Sequence, residues 1–239
     1  MRLPRSVSSL FLASLLFLPA RAALAQDCIV LLHGLWRSDA SMNKMEKAMN
    51  RAGYKVSNIG YDSTTKTVEE LASETIPLAV ESCSDTQKIH FVTHSLGGIL
   101  MRQYLEHDDI ENLGRVVMLG PPNKGSEVVD SYKNFPGFKF FAGPAGLQLG
   151  TGEASVPRVL GPVSFDVGII AGTQSINPIL SGILPDRDDG KVTVESTRVE
   201  GMNDHIEMPV THVFMMRDED VFAQILHYLE YGQFAREVN

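Results

Sequence analysis

A hydroxyl, a carboxylate and an imidazole follow one another along this chain in an order that can support nucleophilic catalysis. The hydroxyl belongs to Ser95, in the run Thr93-His94-Ser95-Leu96-Gly97 with Gly98 next. A serine is a poor nucleophile until a base takes its proton, and the base works only when an acid orients it. The histidines are His33, His90, His94, His107, His205, His212 and His227. Only His205, His212 and His227 come late in the chain. His227 sits inside an amphipathic helical pattern, and His205 opens an expected strand at the end away from a site. His212, just past that strand, is the favoured base, with His205 the alternative. For the acid, "LPDRDDGKVTVEST" (184–197) offers Asp186, Asp188 and Asp189. Asp189, followed by Gly190 and the apolar Val192 and Val194, is favoured, with the other two as alternatives.

These groups need a scaffold. Short apolar runs at 28–34, 55–61, 88–94, 115–122, 165–173 and 205–212 read as strands. The run "CIVLLHG" (28–34) is apolar throughout, as a strand buried on both faces should be. Helical periodicity fills 39–54, 67–83, 95–107 and 218–234, with Met42, Met45 and Met49 on one face, Pro77 as a candidate interruption and Asp218 as a candidate N-cap. The alternation predicts an α/β fold: a mostly parallel central sheet with helices on both faces and no large cap domain. Between 134 and 162 the periodicity stops in a stretch rich in Gly, Pro and Phe. A loop that long is usually functional, so the segment is a candidate lid or substrate wall.

Ser95 falls at the junction of the 88–94 strand and the 95–107 helix. A turn that tight forces its apex residue into strained backbone and holds the side chain clear of both elements, which is the nucleophile elbow G-x-S-x-G. Thr93 stands where that pattern has glycine, at a position expected to pack near Gly97. The oxyanion of a tetrahedral intermediate needs preorganised N–H donors. Leu96, after the serine, and Leu35, in the "HGLW" loop after the first strand, are the candidates. "LLHGLW", "VTHSLGGI", "LGPPNKGSE", "DDGKVTVES" and "PVTHVFMM" together resemble the small bacterial α/β-hydrolase lipases and esterases over most of 28–232. The resemblance implies a triad of Ser95, Asp189 and His212, an oxyanion hole at Leu35 and Leu96, and no cofactor. Many larger secreted lipases bind calcium through an aspartate two residues after the histidine. Phe214 stands there, so no metal site is expected. Trp36, Phe138 and Phe141 are candidate substrate contacts.

The chain has 239 residues, 44% of them hydrophobic, which suits one domain with a full core. Its start, "MRLPRSVSSLFLASLLFLPARAALA", has a basic beginning, an apolar stretch and Ala23-Leu24-Ala25, the pattern of a signal peptide cut after Ala25. The apolar stretch is too short for a membrane anchor, and Asp27 before Cys28 argues against a lipid anchor. Without the leader's three arginines, 18 basic residues face 29 acidic ones, a net −11. No basic patch invites nucleic acid. Export to the periplasm or beyond suggests a disulfide between the two cysteines, Cys28 and Cys83, over the alternative of two buried thiols. The resemblance places both at the amino edge of the sheet. The expected partner is a small-molecule or lipid ester. An acyltransferase or amidase using the same triad, and a catalytically silent binding protein, remain alternatives.

Overall fold

The protein is described by a computed structural model covering residues 26–176 and 181–236. The expected leader, 1–25, lies outside them. Six strands form one parallel sheet: β1 (Cys28–Leu32), β2 (Lys55–Ile59), β3 (Ile89–His94), β4 (Leu113–Leu119), β5 (Val167–Gly172) and β6 (Asp204–Met208). The strand order is β2-β1-β3-β4-β5-β6. The chain moves outward one way after β1 and the other way after β3. Their carboxyl ends therefore flank the point where the order reverses, which is where open α/β sheets leave a crevice.

Alternate residues of each strand enter two separate cores. Cys28, Val30 and Leu32 join Phe91, Val116 and Ile169 on one face. Ile29 and Leu31 join Val92, Val117 and Ile170 on the other. Both faces are dry because helices cover both. On the first face lie α2 (Val68–Glu81) and α3 (Leu96–Leu105); on the second lie α1 (Asn43–Arg51) and the closing helix α8 (Glu219–Tyr231). Helix α2 starts at a capping box, in which the Thr67 hydroxyl accepts from Glu70 N and the Glu70 carboxylate accepts from Thr67 N. Pro77 does not interrupt it. Helix α8 starts where Asp218 accepts from the amides of Asp220 and Val221 and ends at Gly232 in the left-handed conformation.

Most expected boundaries shift by a few residues, and three departures bear on the site. The 39–54 segment divides into a 3-10 turn, Asp39–Met42, and α1. Strand β6 runs from Asp204 to Met208 and so ends four residues before His212, which lies in the connection that follows. The 134–162 stretch is not irregular. It follows α4 (Glu127–Tyr132) and carries α5 (Phe138–Leu147) and α6 (Val156–Val159). Helix α5 is kinked at Gly143–Pro144, which masks its periodicity. The last short helix before β6 is α7 (Val194–Thr197).

Cys28 and Cys83 form a disulfide with 55 residues of sequence separation. Cys28 opens β1 beside Ile89 at the start of β3, so the bridge ties the amino edge, opposite the crevice. Closing a loop of that length should contribute about 4 kcal/mol on the chain-entropy account. Cys28→Ser should lower the melting temperature under oxidising conditions and leave kcat and KM intact. An unchanged melting temperature would show that the bridge does not stabilise the fold.

Candidate active site

A single residue, Ser95, separates the end of β3 from the start of α3. Its backbone is at φ 53°, ψ −117°, and Trp36 (φ 59°) is the other non-glycine residue with positive φ among those described. Such geometry costs on the order of 1–3 kcal/mol and persists only where surroundings impose it. The Ser95 amide donates to Leu119 O at 2.9 Å. Gly97 lets α3 press onto the end of β1, because a Cβ there would stand 2.7 Å from Leu32 O. Thr93 is fully buried, and its hydroxyl comes near Gly98. The Leu96 N–H belongs to the first turn of α3, where no intrahelical acceptor exists.

The facing loop after β1 is held by His33. Its Nδ1 donates to Gly34 O at 2.9 Å, its Nε2 accepts from Tyr61 N at 3.3 Å, and its ring stacks on Tyr61 at 3.9 Å. The turn closes with Arg37 N donating to Gly34 O at 3.2 Å, and Trp36 N donates to Ser63 Oγ at 3.1 Å. Leu35 lies within this turn and faces the same cavity as Ser95.

Asp189 and His212 meet in the interior. His212 Nδ1 donates to Asp189 Oδ2 at 2.7 Å, with the two residues only 3% and 2% exposed. The other carboxylate oxygen, Oδ1, accepts from the amides of Lys191 (3.0 Å) and Val192 (2.9 Å). His212 N donates to Asp189 O at 2.9 Å, so backbone and side chain are both joined. Asp188 turns elsewhere, accepting from Ser181 Oγ and Gly190 N. Asp186 lines a separate surface pocket with Arg187 and Glu207. His205 lies in β6 beside Thr197 Oγ1 at 2.9 Å.

Two neighbours of this pair carry no signal in the sequence. Gly120, at φ +53° after β4, leaves the room the pair occupies; a Cβ there would fall 2.9 Å from Asp189 Oδ2 and 3.1 Å from His212 Nδ1. His94 is buried, donates from Nε2 to His212 O at 2.9 Å, and packs its ring 4.7 Å from the His212 ring. The residue before the candidate nucleophile thus braces the loop of the candidate base. A glycine in a "LGPP" run and a histidine beside a serine could have been suspected only with the loop positions in hand.

Ser95 and His212 open onto a cavity of about 280 Å³. Val129, Phe138 and Leu149 form its inner wall, and Trp36, Arg37 and Lys191 also line it. Of the aromatic candidates, Trp36 and Phe138 line the cavity and Phe141 does not. Phe141 is 65% exposed, its ring meets that of Phe140 edge-on, and its carbonyl accepts from Trp36 Nε1–H. No helix among the described residues is long and apolar enough to cross a membrane, and no cluster of metal-ligating side chains occurs among them.

Burial pushes the pKa of His33, His90, His94 and His205 below the usual imidazole value, His205 to about 4. Each is neutral in the fold yet takes a proton near pH 6.5 once unfolded. The unfolded chain therefore binds more protons, and stability is complete above about pH 6.5 and falls as the pH drops toward the folded values. Calorimetry from pH 7.5 to 4.5 should show a falling melting temperature with proton uptake on unfolding. A constant midpoint would refute this.

The sequence profile of the palmitoyl protein thioesterase family matches residues 28–152. No curated protein matches the sequence. Among solved structures, the mature form of a Bacillus licheniformis lipase superposes with a TM-score of 0.68 at 21% identity, over 86% of this chain and 92% of that one. The propeptide form of the same lipase gives 0.69 at 20% identity over 91% of this chain, which spans only 53% of that longer chain. A metagenomic carboxyl esterase gives 0.62 at 19% identity, covering 79% of this chain and 65% of that one. At these identities the likeness is one of fold, that of the α/β hydrolases. The family match is of another kind, since it runs over more than half of the sequence and contains β1, the Leu35 turn and the Ser95 elbow: the chain belongs to the palmitoyl protein thioesterase family.

Proposed function

We propose that this protein is a serine hydrolase that cleaves carboxylic esters or thioesters through an acyl-enzyme on Ser95. The observation that carries the reading is the buried Asp189–His212 pair, 2.7 Å apart, opening with a strained serine onto one apolar cavity. With Nδ1 committed to Asp189, His212 has Nε2 to accept the Ser95 proton. Ser95 Oγ then attacks the substrate carbonyl carbon. The developing oxyanion is received by the amides of Leu35 and Leu96, each worth roughly 3 kcal/mol to the transition state. Collapse breaks the bond to the leaving oxygen or sulfur, which takes the proton from His212. Water, activated by the same imidazole, releases the acid and restores Ser95. Asp189 stays ionised and holds the imidazole in its useful tautomer.

The acyl chain belongs against Val129, Phe138 and Leu149. A cavity of about 280 Å³ lies at the small end of ligand sites, which favours short to medium chains. The kinked α5, tied to Trp36 through the Phe141 carbonyl, is the candidate lid. We read the protein as exported, on the leader-like start at 1–25 and the Cys28–Cys83 disulfide.

The test is hydrolysis of 4-nitrophenyl esters and matching thioesters, acetate through palmitate, by the wild type and Ser95→Ala, with peptide mapping after a phosphonate ester probe. Turnover abolished in Ser95→Ala, with the probe on Ser95, is the expected result. A folded wild type inert to every substrate and probe would favour the silent binding protein. Acyl transfer to an added alcohol or amine in preference to water would make it an acyltransferase.

A further inference from the structure

The chain carries 29 acidic against 21 basic residues, and nine of the 18 basic side chains among the described residues have a carboxylate within ion-pair distance. Lys44, Lys55, Lys66, Arg115, Lys124, Arg187 and Arg236 all form ion pairs. Among the basic residues without such a partner, Arg37 and Lys191 are set apart by position. Both line the cavity that holds Ser95, and neither has a carboxylate partner within ion-pair distance among the described residues. Asp189 attracts the Lys191 ammonium from beyond ion-pair distance, while its two oxygens accept from His212 Nδ1 and from the Lys191 and Val192 amides. The Lys191 ammonium instead lies 5.0 Å over the Trp36 ring. Burial and the nearby Arg37 charge both disfavour its charged form. An anion bound between the two would relieve their mutual repulsion and offset the desolvation of Lys191.

Their location says which part of a substrate brings the anion. Val129 and Leu149 are buried, and Phe138 packs on the same core, so the inner wall takes an apolar acyl chain. Arg37 and Trp36 are exposed, and Lys191 is half-buried against Trp36, which puts the cations at the rim. With the acyl chain inward of Ser95, the rim receives the leaving group. We propose that Arg37 and Lys191 bind an oxyanion, carboxylate or phosphate, on the leaving group of the substrate. This rests on the serine-hydrolase reading above. The guanidinium offers paired donors to such a group and the ammonium a compact second charge.

The experiment compares kcat/KM for substrates that differ in whether and where they carry a negative charge. 4-Nitrophenyl butyrate is the neutral reference, 3-carboxy-4-nitrophenyl butyrate carries the charge on the leaving group, and the mono-4-nitrophenyl ester of glutarate carries it on the acyl group. Butyryl-coenzyme A against S-butyryl-N-acetylcysteamine makes the phosphate arm. The wild type should prefer at least one anionic leaving group about 10-fold after correction for intrinsic reactivity. The larger preference identifies carboxylate or phosphate. In the Arg37→Gln/Lys191→Met double variant that ratio should fall to near 1, and in the wild type it should shrink as salt rises. No preference for either anionic leaving group, a preference for the glutarate ester, or an unchanged ratio in the double variant would overturn the proposal. Loss of the neutral ester's hydrolysis in Ser95→Ala tests the underlying reading separately, whatever the ratio shows.

Discussion

Asp189→Asn should lower kcat about 10⁴-fold with little change in the folded structure. The size follows from how the carboxylate is held. Oδ1 accepts two backbone N–H groups, from Lys191 and Val192, and Oδ2 accepts the N–H of His212 Nδ1. An asparagine has one oxygen and one NH₂. The two fixed amides require the oxygen on their side, so the NH₂ must face His212. The imidazole then has to accept at Nδ1 and carry its proton on Nε2, where it can no longer take one from Ser95. A factor of 10⁴ is roughly 5 kcal/mol of transition-state stabilisation. Asp188→Asn is the control; Asp188 bonds Ser181 and Gly190 and should leave turnover within a few-fold. Near-wild-type turnover in Asp189→Asn would return the acid to Asp188 or Asp186.

The order of elements was legible because each strand reports its own burial. Residues 28–32 are apolar at every position, and the structure sends alternate ones into the two cores. The serine turn was legible for a similar reason, since strand, apex and helix are contiguous and the small residues that permit the turn lie beside it. The 134–162 stretch was misread because Gly143 and Pro144 break the apolar period inside α5. Composition alone cannot separate a kinked helix from a loop. The roles of His94 and Gly120 were hidden because they are defined by what a distant loop brings against them. The same holds for Lys191 over Trp36, a contact between segments far apart in the chain.

Arg102 was hidden most completely. In "LGGILMRQYLEH" it reads as an ordinary solvated position of α3, yet it is only 4% exposed. Its Nη1 donates to the Asn123 carbonyl and side-chain oxygen, both at 3.1 Å, and its Nη2 to Pro157 O at 3.2 Å and Gly161 O at 2.7 Å. Burial lowers its pKa to about 10, which still leaves it charged at neutral pH. One guanidinium thus fastens the segment after β4 and the segment around α6 to the helix that begins at Ser95. Arg102→Met keeps much of the side-chain stem and removes every donor. It leaves buried carbonyls that were satisfied by a charged group, each costing about 1–3 kcal/mol where water cannot replace it. The variant should lose about 3–5 kcal/mol and melt roughly 10 °C lower. Pro122 and Ser126 flank Asn123 and line the cavity, so KM should rise as that wall loosens. Arg102→Lys keeps the charge but not the fork of donors, and should recover only part of the loss. A melting temperature within 2 °C of wild type for Arg102→Met would mean that the two segments are held by their apolar contacts alone.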